Sequence, residues 1–168
     1  MRTIKELKTL TDKWAHDRQL DINGKYETQW LKLISEVGEL ADSVAKAKTP
    51  IDDIGDCLVV LSNMELMIRT QKLHYTTIQI DVLIFQVEHY MPSEAIELHT
   101  YIEGLVYKVA QINEYIHYID EIRHIIYYLA KIAKYYKLTL AECWTYAYEE
   151  IKNRKGYVNK LGNFIKEV

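Results

Sequence analysis

Residues that break helices are scarce in this chain. Its 168 residues include six glycines and two prolines, which favours long helices over a many-stranded sheet. Cysteine is scarce too. Cys57 and Cys143 both lie in apolar helical contexts, and buried reduced thiols in a cytoplasmic protein are expected. No apolar run reaches the roughly 18 residues that a membrane span needs. The opening Met1-Arg2-Thr3-Ile4-Lys5 turns polar at once, so no signal peptide is expected. An excess of positive charge is also missing. The net charge of −3 argues against a general nucleic-acid binder. What is present, 49% hydrophobic and 27% charged residues, belongs to a globular protein. The length suits one domain over 1–168 with a real core.

Hydrophobic periodicity sets out an all-α fold. Ile4, Leu7, Leu10 and Trp14 recur at helical steps, giving a first helix from Thr3 to about His16. Asp21-Ile22-Asn23-Gly24 is turn chemistry and closes it. From pattern alone, Trp14 is a core residue and Arg18 a surface one. A second helix runs from about Glu27 to the Val44–Lys48 region, stopped by Thr49-Pro50. A third runs from Ile51 to about Thr70, and Cys57-Leu58-Val59-Val60-Leu61 makes it apolar nearly all round and central. The short linker makes these two an antiparallel hairpin. Additional long amphipathic helices fill about 74–137: one over Thr77–Tyr90, one starting at Met91-Pro92-Ser93-Glu94, and one carrying Ile119, Ile122, Ile126 and Leu129. The phase slips near Asn113, where a break is expected. Thr139 and Glu142 form a capping box for a last helix to about Arg154, with Gly156 as its stop.

The hairpin carries the chemistry. Glu36-x-x-Glu39 and Asp53-x-x-Asp56 each stack two carboxylates on one helix face. Acids bordering buried surface are costly unless a cation is bound there, and oxygen ligands suit Mg²⁺, Mn²⁺ or Ca²⁺. If the second helix ends near Val44, Glu39 lies opposite Asp56. Gln29, Lys32, Glu36, Glu39 and Ser43 form one polar stripe, in which Lys32 can also pair with Glu36 along the helix. Asp53, Asp56, Val60 and Asn63 share a stripe on the third helix. Mg²⁺ takes a few carboxylates together with phosphate and water, so a phosphate ligand is expected. Lys32, Lys152, Arg154 and Lys155 could supply counter-charge, although basic residues in a last helical turn also follow from the helix dipole. Metal-activated attack on a phosphoanhydride fits this set.

These residues resemble a known family. Glu36-x-x-Glu39, thirteen intervening residues, then Asp53-x-x-Asp56 is similar to the ExxE…ExxD signature of the MazG-like all-α nucleoside triphosphate pyrophosphohydrolases. Gln29-x-x-Lys32, Ile54-Gly55-Asp56-Cys57-Leu58, the run Glu150–Gly156, and Gly162-Asn163-Phe164-Ile165-Lys166 look like short, phage-type or free-standing members, as do Trp14 and Arg18. The resemblance covers about 10–70 and 138–168. It implies a Mg²⁺-dependent helical enzyme (Mn²⁺ a possible substitute), a homodimer or dimer of dimers. Such an enzyme cleaves NTPs or dNTPs to NMP and pyrophosphate. It implies Glu36, Glu39, Asp53 and Asp56 as metal ligands and catalytic acids, Lys32, Lys152, Arg154 and Lys155 on phosphate, and Gln29, Trp14 and Asn63 on base or sugar. Asp53 stands where the family usually has Glu, and Asp52 could share or replace its role.

Two other readings compete. Glu114-x-x-His117 and Glu121-x-x-His124 have the spacing of carboxylate/His di-metal bundles. They lie seven apart on one helix, so they cannot face each other, and a polar helix face is the better reading. The other is a non-catalytic nucleotide-binding or regulatory module with a vestigial acid cluster.

Overall fold

The computed structural model describes residues 2–73, 79–90, 97–112 and 118–167. Among them are eight helices, α1 (Ile4–Asp17), α2 (Leu20–Asn23), α3 (Tyr26–Ala45), α4 (Ile51–Gln71), α5 (Ile80–Tyr90), α6 (Leu98–Gln111), α7 (Tyr118–Tyr135) and α8 (Leu140–Ile151), and two short strands, β1 (Gly156–Val158) and β2 (Phe164–Lys166). The all-α expectation holds. None of the described helices is long and apolar enough to cross a membrane.

The central helix is α4. From Ile54 to Ile68 every residue except Asp56 is buried. Full burial of each Leu, Ile or Met there contributes about 1.5–3 kcal/mol. On α4 pack α1, α2, α3, α5, α7 and α8. Gly55 allows the closest approach, because a Cβ there would stand 2.2 Å from the Cys143 carbonyl of α8. Both cysteines are free and buried, and burial pushes the Cys57 thiol well up from its ordinary value.

Several ends follow local chemistry. Thr3 caps α1 and Thr139 caps α8, each reciprocated by a glutamate three residues on, an arrangement that satisfies two otherwise orphaned donors. The α3–α4 hairpin forms with α3 ending at Ala45, close to the earlier of the two expected ends. The start expected at Met91–Glu94 and the break near Asn113 lie outside the described residues, as do Glu114 and His117. The helices on either side of those residues, α6 and α7, pack against each other. Lys108 of α6 pairs with Glu121 of α7 at 2.8 Å, and the Tyr101 and Tyr128 rings lie 6.5 Å apart. His124 Nδ1 is 2.6 Å from the Asp120 carbonyl. Glu121 and His124 thus have local partners.

Two elements differ from expectation. Where a turn is expected over Asp21–Gly24, residues Leu20–Asn23 make one helical turn, entered through Gln19 at φ 57. The C-terminal segment, where Gly156 was read as a stop, pairs as an antiparallel hairpin with Tyr157 opposite Ile165. Three-residue strands are too short to show a period-two pattern.

Candidate functional site

A cleft of about 270 Å³ opens where α3 and α4 meet the end of α8 and the C-terminal hairpin. Volume does not single it out, since cavities of about 490 and 340 Å³ lie elsewhere. Its side chains do. Two carboxylates (Glu36, Asp56), three cations (Lys32, Arg154, Lys166) and three carboxamides (Gln29, Asn63, Asn163) line one space, walled by Trp14, Leu20, Val59, Val60, Ile151 and Phe164. Two of the three larger cavities hold one carboxylate each, and the third, about 430 Å³, holds Glu142, Glu149 and Glu150 with no cation or carboxamide in its lining.

Helical spacing supplies most of this set. Gln29, Lys32 and Glu36 step three and four along α3, so they share a face. On α4, Asp56, Val60 and Asn63 do the same. The rest is delivered by tertiary contacts. Arg18 Nε and Nη2 donate to the Arg154 carbonyl at 2.9 and 2.6 Å, and Nη1 donates to the Trp14 carbonyl at 3.0 Å. Its guanidinium lies 4.7 Å from the Trp14 ring centre. Trp14 Nε1 donates to the Ile151 carbonyl at 2.8 Å, and its ring meets Phe164 edge-on at 5.3 Å. Trp14 is thus the core residue expected from pattern as well as a wall of the cleft. Arg18 is a half-buried clamp on the turn that carries Arg154.

The hairpin is fixed to the start of α3. Thr28 Oγ1 donates to the Leu161 carbonyl at 2.8 Å. Asn159 Oδ1 accepts the Leu161 and Asn163 amides at 2.9 and 3.0 Å. Gly162 sits at φ +81 with Lys25 so close that a Cβ would lie 2.6 Å from the Lys25 nitrogen. Only glycine suits both conditions. These contacts bring Asn163, Phe164 and Lys166 to the cleft. Spacing did not assign them to the site; their signals were the terminal cation and the likeness of Gly162-Asn163-Phe164-Ile165-Lys166 to the end of MazG-like members.

The carboxylates are short of counter-charge. Lys32 Nζ forms an ion pair with Glu36. Burial still raises the Glu36 carboxyl above its ordinary value, with Glu39 and Asp52 adding to the push. Asp56 is pushed up to about 7, by burial first and then by Glu36 and Asp52, against Lys32 and Arg154. Asp52 is itself raised by burial, then by Asp53 and Glu150. Asp52, in place of Asp53, is therefore the third acid felt by both Glu36 and Asp56.

The expected four-acid convergence is only half made. Glu36 and Asp56 line the cleft; exposed Glu39 and half-buried Asp53 do not. The expected Glu39–Asp56 pairing is replaced by Glu36–Asp56, about one turn along α3. Among the described residues, no three His, Cys, Asp or Glu side chains stand close enough together to hold a metal ion. Two carboxylates, one pushed up to about 7 chiefly by burial, still fit Mg²⁺. That ion binds through one or two carboxylates and takes its other ligands from phosphate and water. The basic run also divides. Arg154 enters the cleft, whereas Lys152 turns to Glu149 and Lys155 is exposed on the strand side. The reason is that α8 ends at Ile151, so the run does not share one helical face.

No family model matches this chain, and no solved structure matches it. Over 63 residues it is 40% identical to an "Uncharacterized 18.2 kDa protein in rep-hol intergenic region" of Haemophilus phage HP1 (strain HP1c1). That match takes in 36% of this chain and 39% of the phage protein, so the chain spans well under half the length of that relative, whose description states no activity.

Proposed function

We propose that this chain is a Mg²⁺-dependent nucleoside triphosphate pyrophosphohydrolase, with Mn²⁺ as a possible substitute, releasing NMP and pyrophosphate. The observation that carries the reading is the joint presence of Glu36 and Asp56 with Lys32, Arg154 and Lys166 in one cleft. Acids alone suggest a cation and bases alone an anion; together they suit a metal–phosphate ligand. The resemblance of Glu36-x-x-Glu39…Asp53-x-x-Asp56 to the MazG-like family supports the same chemistry.

Glu36 and Asp56 would hold the cation, with Asp52 and Glu39 at the rim. A bound divalent cation neutralises charge on phosphoryl oxygens and acidifies water. The chain's residues do the rest. Arg154 and Lys166 take phosphate oxygens through charge-assisted hydrogen bonds. Lys32 exchanges Glu36 for phosphate when the substrate enters. Water attacks the α-phosphorus, its proton passes to a carboxylate of the cleft, and the α–β bridging oxygen leaves with pyrophosphate. Trp14, Phe164 and Ile151 exclude bulk water, which strengthens each of these interactions. A homodimer or dimer of dimers and a cytoplasmic location belong to the same reading, and exposed Leu31, Ile34, Val106 and Tyr107 on α3 and α6 offer apolar surface for assembly.

The test is incubation with Mg²⁺ and a panel of NTPs and dNTPs, scored for pyrophosphate. Wild type should release it and Glu36→Gln should not. Nucleotide binding without release would instead favour the non-catalytic module, and a Glu36→Gln variant as active as wild type sinks the assignment.

A further inference from the structure

The cleft contains a polar atom that the protein leaves without a partner. Asn63 is 4% exposed, and its side-chain Oδ1 is buried with no hydrogen bond. A buried polar group with no partner destabilises the fold until a ligand meets it. Turning the amide over does not remove the problem, since it puts an unmet Nδ2 in the same place. Asn63 is aimed into the cleft, and Gln29, 3% exposed, lines it from α3.

The two amides are placed in register with the two acids. Asn63 lies seven residues beyond Asp56 on α4, and Gln29 lies seven residues before Glu36 on α3. The helices are antiparallel, so the amides share one end and the acids the other, about 10 Å apart at 1.5 Å per residue. A sugar fills such a span between a phosphate and a base. The cleft that holds both ends is walled by flat and branched apolar side chains, among them Trp14, Phe164 and Val59. The whole cleft, about 270 Å³, is slightly smaller than the ~300–1,000 Å³ of ordinary ligand pockets.

We infer that the Asn63 carboxamide reads the hydrogen-bonding edge of a single-ring base, making the cleft selective for pyrimidine nucleotides. A carboxamide presents a donor beside an acceptor. The N3 edge of uracil, thymine or cytosine presents the complementary pair, and the orphaned atom is satisfied when the base is bound. A purine edge offers a similar donor–acceptor pair, and the small size of the cleft, about 270 Å³, is what favours the single ring. This inference rests on the nucleotide reading of the cleft but needs neither metal nor hydrolysis.

The experiment is calorimetric binding of dUMP, dTMP, dCMP, dAMP and dGMP in Mg²⁺-free buffer, with wild type, Asn63→Leu and Asn63→Asp. The expected result is at least one pyrimidine monophosphate bound about tenfold or more tighter than either purine. That preference should be lost in Asn63→Leu, which keeps volume and removes the hydrogen bonds. If Asn63→Leu does not fold, the near-isosteric Asn63→Asp gives the same reading, because a carboxylate cannot donate. Purines bound as tightly as pyrimidines, an unchanged preference in the variants, or no binding of any monophosphate overturns the inference. Pyrimidine binding without pyrophosphate release from triphosphates would sink the hydrolase reading and leave this one standing.

Discussion

The central helix α4 carries two charged clusters, and they are built in opposite ways. On the side facing α1, Glu65 is buried beside Lys8 at 3.3 Å and accepts the Ile80 amide at 3.2 Å. Lys8 also reaches Asp12 at 2.6 Å, and Asp12 takes Arg69 at 2.9 Å and Ser62 at 3.3 Å. Burial raises Glu65 above its ordinary value, while Lys8 and the Ile80 amide hold it down. Each charge there has an opposite charge in reach. On the side facing α3, Asp56 has no hydrogen bond from the described residues and is pushed up to about 7, by burial first and then by Glu36 and Asp52, against the smaller effects of Lys32 and Arg154. Asn63 lies on the same side with its oxygen orphaned. A closed network ties α1, α4 and α5 together. An open one costs stability unless a ligand completes it. The difference between the two clusters is the physical ground for placing the function at the second.

Substitutions should separate the two clusters. The largest effect expected is on activity: Asp56→Asn should lower the rate of pyrophosphate release by about 10²–10³-fold, the scale on which preorganised electrostatic groups act, while the metal-free protein keeps or gains thermal stability. Lys8→Met should do the reverse. It leaves Glu65 buried and uncompensated, with a loss of about 3–5 kcal/mol in denaturant unfolding and little change in the turnover of the protein that remains folded. If Asp56→Asn unfolds the protein or Lys8→Met abolishes turnover of folded protein, the contrast between the clusters is wrong.

The pH dependence sharpens the same contrast. A carboxyl whose folded pKa is raised favours the folded state when protonated. Its contribution is therefore lost as pH rises from the ordinary carboxylate range through the folded value. For Asp56 that window runs from about 4 to about 7. Thermal unfolding of metal-free protein should show stability falling across it. Mg²⁺ should restore stability at the high end, and Asp56→Asn should flatten the Mg²⁺-sensitive part. Glu65 shifts in the same direction, and its part of the slope should not respond to Mg²⁺.

A smaller effect is expected one step from the chemistry. Arg18→Ala removes the donors on the Arg154 carbonyl. It should lower kcat/KM about tenfold by loosening Arg154, as misplacement of a positioned group does, with Arg18→Lys intermediate in steady-state kinetics. The smallest is Thr139→Ala, which loses the cap of α8 and should cost about 1 kcal/mol of stability with no change in nucleotide selectivity.

The helices were legible because their signals are local. The apolar stripe of α4, the Thr139–Glu142 cap and the Thr49-Pro50 stop each act within a turn or two. Half of the site was legible for the same reason, since Gln29, Lys32 and Glu36 on α3 and Asp56 and Asn63 on α4 follow helical spacing. What spacing could not give is which residues of two facing helices meet. A shift of one turn put Glu36, in place of Glu39, beside Asp56 and brought Asp52 to bear where Asp53 was expected. Lys166 was hidden because its position depends on a hairpin fixed by Thr28, Asn159 and Gly162 across more than 130 residues of chain.

The account is tested most directly by following a deoxynucleoside triphosphate and Mg²⁺ with ³¹P NMR in ¹⁸O-labelled water. It predicts monophosphate and pyrophosphate in equal amounts, with the label in the monophosphate, because water attacks the α-phosphorus. Diphosphate with inorganic phosphate, label in the pyrophosphate, or an unchanged triphosphate would contradict it.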